Sequence, residues 1–440
     1  MEILIKAAQL LLSLSILVIF HEFGHFIAAK IFKTRVEKFY LFFDPWFSLF
    51  KFKKGETEYG MGWLPLGGYV KISGMIDESM DKDQMNQPAQ PWEFRSKPTW
   101  QRLIIMLGGV TVNVLLAFAI YICILWMWGE QYLPTSEVKY GIVADTMAEK
   151  MGLRDGDKIL TVDNEYIEDF YKIPGKIILD NAKTIQVLRD EKPFTVNIPE
   201  GFIAKLLKHQ SPEFINPRIP FIIGDFTKES AGLKAGLQKG DRIIGINDTT
   251  LLYFDQYKNV LDSLASKSIA LTALRGTDTL SFNVQLDETA KIGAYITNPT
   301  SLFKVSEREY SLVSAIPAGF TKTWKQAANY LKQLKLLFMP EAKAYESLGG
   351  FIAIGNIFPA EWDWMSFWSL TAFLSIILAI MNILPIPALD GGHVLFLMYE
   401  IITGRKPSDK FLEYAQVVGM VILFGLLIFA NGNDIIKLFK

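Results

Sequence analysis

The sequence predicts a multi-span α-helical membrane protein with about four transmembrane helices, a membrane-associated β-sheet and two β-rich domains. Three observations carry that prediction. Four apolar stretches approach the ~20 residues needed to cross a hydrocarbon core. Half of the 440 residues are hydrophobic, yet 21% are charged, more than a purely transmembrane bundle would carry. One pattern punctuated by Gly and Asp occurs twice, which marks an internal repeat.

The elements follow in chain order. The first transmembrane helix falls within residues 1–34, a cytoplasmic or membrane-associated β region at 35–98, and a second transmembrane helix at 99–129. Two β-rich domains occupy 130–208 and 209–300, with the boundary near 209–217. An outer amphipathic helix and a re-entrant or buried segment take 301–360, and the third transmembrane helix takes 361–392. A cytoplasmic loop, a fourth transmembrane helix and a tail complete 393–440. The apolar runs themselves cover about 3–32, 103–128, 365–384 and 414–430. The first exceeds signal-peptide length, lacks a clear small-residue cleavage site and contains His-Glu-His, so a retained span is expected.

Basic residues near span ends orient the chain. Lys30, Lys33, Arg35 and Lys38 follow the first span, Arg95, Lys97 and Arg102 precede the second, and Arg405, Lys406 and Lys410 lie between the third and fourth. These belong on the cytoplasmic side, which turns both termini and the long segment between the second and third spans outward. Lys437 and Lys440 weaken the rule at the C-terminus without reversing it. A formal net charge of −1 argues against nucleic acid as a partner, and the lipid bilayer is the expected environment. Cys123 is the single cysteine, so no intrachain disulfide forms; within an apolar run it reads as a small packing residue.

Between the first two spans, strands are expected at 36–43, 47–53, 56–64 and 68–73, separated by turns at Asp44-Pro45, Lys54-Gly55 and Pro65–Gly68. Phe39, Tyr40, Phe42, Phe43, Trp46, Phe47, Phe50 and Phe52 are too apolar for a solvated loop. A sheet dipping into the membrane is the preferred reading; a small soluble meander packed on the helices is the alternative. In the outward region, residues 152–164 align without gaps to 236–248, each half giving a Gly-Leu turn, a Gly-Asp turn and an alternating strand. Farther on, Ile316, Phe320, Trp324, Ala327, Leu331 and Leu334 recur at helical spacing, while Lys322, Lys325, Lys332 and Lys335 occupy other faces. That pattern suits an amphipathic helix at a membrane surface. Residues 348–358 are apolar but too short to span.

The chemistry sits in His21-Glu22-Phe23-Gly24-His25. On a helix, residues four apart share a face, so both imidazoles reach one metal ion, and Glu22 lies beside them as a general base for water. Ionisable groups are costly in hydrocarbon and tend to mark function. Catalytic zinc usually takes three protein ligands. Asp390, in the Asn382–His393 segment at the cytoplasmic end of the third span, lies at the same expected depth and is the preferred third ligand. His393 is the alternative, and His209 reads as a solvated linker residue.

Several motifs together carry a resemblance. They are His21–His25, the segment from Asn382 to Asp390 with Leu389-Asp390-Gly391, and Gly62-Trp63-Leu64-Pro65-Leu66-Gly67-Gly68-Tyr69-Val70. With the repeats, which are similar to PDZ domains of the bacterial protease type, the chain resembles the site-2 protease family, and more narrowly its bacterial regulator-of-sigma-E branch. The resemblance implies an intramembrane Zn2+ metalloprotease in which His21, His25 and Asp390 bind the metal and Glu22 is the catalytic base. It also implies that Asn382 positions substrate, and that the PDZ-like domains are periplasmic in a multi-pass protein of the bacterial inner membrane. Implied substrates are single-span membrane proteins already shortened outside the membrane, such as anti-sigma factors or signal-peptide remnants. Cleavage of a helix requires its backbone to be opened, and the strand around Gly67, Gly68 and Tyr69 is expected to bind the freed groups. The PDZ-like domains are expected either to bind peptide or to exclude bulky substrates. Two departures stand out: Gly108–Asn113 lacks the proline of the family's Gly-Pro-x-x-Asn-like segment, and Ser347–Gly350 matches a Gly-Pro-Ile-Gly-like stretch only loosely. Rival readings are a non-enzymatic membrane scaffold using the PDZ-like modules and a soluble-type zinc protease tethered by its spans.

Overall fold

The computed structural model describes residues 1–65, 67–75, 87–208, 214–337 and 348–439. Leu66, His209, Ser347 and Lys440, named above, lie outside the described residues. The chain divides into two compact units, one of Met1–Gly129, Glu309–Leu334 and Tyr345–Lys440, the other of Glu130–Arg308 and Lys335–Ala344.

The first unit opens with helix α1 (Glu2–Ile31), which has no proline and ends where Lys33 turns to φ 53°. Four strands follow: β1 (Val36–Leu41), β2 (Phe43–Lys54), β3 (Thr57–Leu64) and β4 (Tyr69–Ile72). Their order is β2-β3-β1-β4, with β1 parallel to β3, so this is not a meander. The expected turn at Asp44-Pro45 is absent; β2 runs through it, with irregular register between Phe43 and Phe50 and with Phe42 and Trp46 at positive φ. Asp44 accepts hydrogen bonds from Ser48 and Tyr69, which supports the backbone where proline cannot donate. The aromatic surface is exposed, with Trp46 at 91% and Phe47, Phe50 and Phe52 all above half.

Helix α2 (Thr99–Trp128) begins after Pro98 and ends at Gly129, whose φ of 69° suits glycine. Next come α3 (Leu312–Leu337), α4 (Phe351–Ile357), α5 (Trp364–Ile383), α6 (Asp390–Thr403) and α7 (Asp409–Leu438). Asp363 caps α5, accepting from Ser366 N at 2.7 Å, and Pro385 follows its end. Helices α1, α2, α5 and α7 are long and apolar enough to cross a membrane. All four expected spans are therefore helices, and the fourth is longer than expected. Helix α6 was not anticipated: residues after 392 were expected to form a loop. On α3, the small residues Ala315, Gly319 and Thr323 are buried, while Ile316, Phe320 and Trp324 face outward. Cys123 is exposed on α2, correcting its reading as a packing residue. Around α2, Ala117, Ile120, Tyr121 and Ile124 pack on Ala372 and Ile376 of α5. Nearer its start, Ile105 and Met106 join Ala28 and Ala29 of α1, Val36, Ile72 and Leu397.

The second unit holds two β-rich cores, one around Ile159, Val187 and Phe214 and the other around Ile243, Leu271 and Val284. Strand Ile215–Pro217, which the sequence assigns to the second domain, pairs with Ile142–Ala144, and Phe214, Ile215 and Ile219 belong to the first core. The repeat has a physical basis. Gly152 and Gly236 sit at φ 105° and 98°, Gly156 and Gly240 at 90° and 92°. Each following Asp is buried: Asp157 pairs with Arg189 at 2.8 and 2.7 Å, and Asp241 pairs with Arg275 at 2.8 and 2.7 Å. Each carboxylate also accepts a backbone N–H, from Arg154 or Gln238. A buried bidentate pair explains why Gly-Asp recurs in the pattern.

Candidate metal centre

The first unit places the two histidines on α1 against two glycines of α2. A Cβ at Gly24 would collide with the backbone of Gly108, and one at Gly108 would lie against that of Gly24. Only glycine allows this approach. It brings α2 onto the imidazoles, so a Cβ at Gly109 would strike His25 Nε2 and the His21 ring. His25 Nδ1 lies 2.9 Å from the carbonyl oxygen of Ile105. A carbonyl only accepts, so Nδ1 carries the proton and the Nε2 lone pair faces inward. His21 Nδ1 is 3.2 Å from the side-chain nitrogen of the fully buried Asn113, whose Oδ1 has no partner among the described residues. Turning that amide over exchanges its nitrogen for the unpartnered oxygen, which then accepts from a His21 Nδ1–H and leaves His21 Nε2 as a second inward lone pair.

The third donor arrives from the other end of the chain. After α5, the backbone turns at Leu384–Leu389 and Asp390 opens α6. Arg102 of α2 holds α6 through Glu400 at 2.5 Å, and Ser375 Oγ ties α5 to the Asn113 carbonyl at 2.8 Å. Asp390 Oδ2 then stands 3.3 Å from His21 Nε2 and 3.2 Å from His25 Nε2, with the two imidazole nitrogens 3.3 Å apart. Among the described residues, this buried carboxylate oxygen has no hydrogen-bond partner. With both imidazoles in these tautomers, three electron-rich atoms face one another, an arrangement that a bound metal cation relieves. Zinc held tetrahedrally at about 2.0–2.1 Å separates its ligands by about 3.3 Å. The triangle has that size, so the residues present fit a zinc ion.

Around it lies a cavity of about 420 Å³ lined by Glu22, Gly68, Tyr69, Val70, His393 and Gln416 among others. Glu22 stands beside the triangle and lines the same cavity as Val70. The Asn382 amide nitrogen is 3.3 Å from His21 Nε2. Gly68 and Tyr69 reach the cavity, whereas Gly67 does not line it and packs on the Phe43 ring. The Tyr69 hydroxyl donates to Asp44 at 2.9 Å. His393 lines the cavity but stands outside the triangle of donors. Sequence reasoning passed over Gln416 and saw Gly109 and Asn113 only as part of a motif. The available signal was a polar residue inside an apolar helix, which in hydrocarbon asks for a partner.

The profile of peptidase family M50 matches residues 9–426. A Haemophilus influenzae protein named Regulator of sigma E protease is 27% identical, with both chains covered completely. The Metalloprotease MmpA of Caulobacter vibrioides is 27% identical over 98% of this chain and 96% of its own. A Vibrio cholerae protein carrying a zinc metalloprotease name is 28% identical over 99% of this chain and 100% of its own. These matches set aside the scaffold reading, and zinc is the cofactor of this class. The chain belongs to peptidase family M50, the zinc metalloendopeptidases of site-2 protease type.

Proposed function

We propose that the protein cuts peptide bonds within or near the transmembrane segment of single-span membrane proteins, with His21, His25 and Asp390 as zinc ligands and Glu22 as the general base. The observation that carries this reading is the buried triangle of His21 Nε2, His25 Nε2 and the unpartnered Asp390 Oδ2, on the span α1 and on α6, which lies between two spans. When bound, zinc lowers the pKa of coordinated water and polarises a carbonyl group. Glu22 takes the proton released as water attacks the scissile carbonyl carbon, and delivers it to the leaving nitrogen as the C–N bond breaks. Ile105 and Asn113 hold the imidazoles in the ligating tautomer.

A substrate helix must be opened before cleavage, because its amides are bonded internally. Strand β4 ends the sheet order, and its Tyr69–Ile72 backbone borders the cavity. This supports strand addition by the opened segment, with Asn382 near His21 to receive a backbone group. Gly67, which packs on Phe43, serves as the bend leading into that strand. Substrates trimmed beforehand outside the membrane, such as anti-sigma factors or signal-peptide remnants, fit a β-rich unit of PDZ-like type that filters bulk. The name of the Haemophilus influenzae relative favours this substrate class. The basic residues flanking the spans support insertion in a bacterial inner membrane with the zinc site towards the cytoplasm and the β-rich unit in the periplasm.

The test compares wild type with Glu22→Gln on a purified single-span substrate. Cleavage should fall by at least about 10²–10⁴-fold while zinc stays bound. Turnover at the wild-type rate would reject the assigned base.

A further inference from the structure

Helix α7 runs beside the candidate metal centre, yet among the described residues only Gln416, Gly419 and Asp434 of its thirty are buried. Each of the three meets a specific backbone. Asp434 accepts from Gly350 N at 2.9 Å and Ala353 N at 3.0 Å, holding the start of α4. Gln416 Oε1 accepts from Ala388 N at 3.1 Å. Gly419 lies so close to Pro387 that a Cβ there would overlap the Pro387 carbonyl. The helix is thus seated at two points, and the inner one is the loop that ends in Asp390.

That loop needs support. Ala388, two residues before Asp390, has φ 75°, a conformation L-residues rarely adopt unless the surroundings impose it. Gly391 and Gly392 of α6 clasp the loop from the other side, each too close to its backbone to carry a Cβ. Gln416 also reaches the cavity that holds His21, His25 and Asp390.

We propose that Gln416 is a positioning residue for the metal centre: with Gly419 against Pro387, its amide holds the 384–389 loop so that Asp390 meets the two histidines, and seating of α7 completes the zinc site. This rests on Asp390 being the third zinc ligand. It follows that a displacement of α7 loosens the metal, and that metal binding favours the seated helix by the same factor.

The test measures zinc affinity by competition with a chromophoric chelator, using the full chain purified in detergent and its folded fraction isolated by size exclusion. Gln416→Met keeps the volume and removes the acceptor; Gln416→Glu keeps an acceptor; Gly419→Ala prevents the close approach by a separate route. Gln416→Met and Gly419→Ala should each weaken zinc binding by about 10–100-fold, the usual cost of losing an outer partner of a ligand. Gln416→Glu should stay near wild type, as should Ile428→Ala on the exposed face of α7. Cobalt substitution gives a second readout, a changed visible spectrum in Gln416→Met. A lower unfolding temperature with unchanged metal affinity and spectrum would overturn the proposal. Asp390→Ala separates the two levels. If it weakens zinc and Gln416→Met does not, the positioning role alone is wrong; if it leaves zinc affinity intact, the ligand assignment is wrong. Should Gly419→Ala fail to accumulate, Gln416→Met decides the matter.

Discussion

Replacing Gly109 by alanine tests whether the close approach of α1 and α2 sets the metal geometry. The new Cβ would strike His25 Nε2 and lie 2.6 Å from His21 Cε1 and 2.8 Å from His21 Nδ1. Carbon atoms in ordinary contact are about 3.5 Å apart, so the His21 ring must retreat by about 0.9 Å. Metal–ligand distances tolerate only about 0.2 Å. A misplacement near 1 Å costs about 10²-fold in rate, or about 2.7 kcal/mol of transition-state stabilisation. Gly109→Ala should therefore lose at least about 10²-fold in kcat/KM and retain less than one equivalent of zinc after brief exposure to a chelator. Metal analysis and cleavage of a single-span substrate measure the two effects. Gly425→Ala, where an added Cβ meets nothing within 4 Å, is the control and should match wild type. A Gly109→Ala enzyme with full zinc and kcat/KM within about threefold of wild type would refute the reasoning.

Three further predictions concern the rest of the chain. The Arg275 guanidinium holds the Asp241 carboxyl below its ordinary value of 3.8. A carboxyl depressed by folding adds stability above its unfolded pKa and loses it as pH falls through the lower folded value. Amide protection of residues 242–246 and 268–275 should decline as pH drops below 3.8 in wild type, whereas Asp241→Asn should be less protected at neutral pH and lack that acid-dependent decline; superimposable profiles would contradict this. Deleting Tyr140–Asp287 should relax rejection of substrates with intact outer domains, and unchanged selectivity in a cleavage assay would count against filtering. Trp46, 91% exposed and stacked 6.0 Å from Trp63, should be quenched by brominated lipids if the sheet enters the bilayer. Substituting Phe for Trp46 should remove part of that quenching, and insensitivity to such lipids would place the sheet in water.

The spans and the metal-ligand pattern were legible because each is a local signal. A long apolar helix and histidines four apart need no tertiary information. The convergence of Asp390 with them was reached through matched membrane depth, a long-range inference; in the structure the three side chains lie together. Other features depended on packing. Helix α6 opens with Asp390-Gly391-Gly392, residues that read as a turn, and its apolar run is too short for a span; the close clasp on Ile383–Pro387 is what demands those glycines. Strand β2 passes through Asp44-Pro45 because Ser48 and Tyr69 satisfy Asp44, a contact invisible locally. Ile215–Pro217 looked like the start of the second module, yet its partner strand lies at Ile142–Ala144, far back in the chain. Gln416 was hidden for a similar reason: a single amide in a span acquires meaning only when Ala388 is opposite.

Zinc-edge X-ray absorption on the purified protein tests the central assignment most directly. The account predicts a first shell of two imidazole nitrogens and carboxylate or water oxygen at about 2.0–2.1 Å, with the carboxylate contribution lost in Asp390→Ala. A shell of three imidazoles, unchanged by Asp390→Ala and altered by His393→Ala, would contradict it.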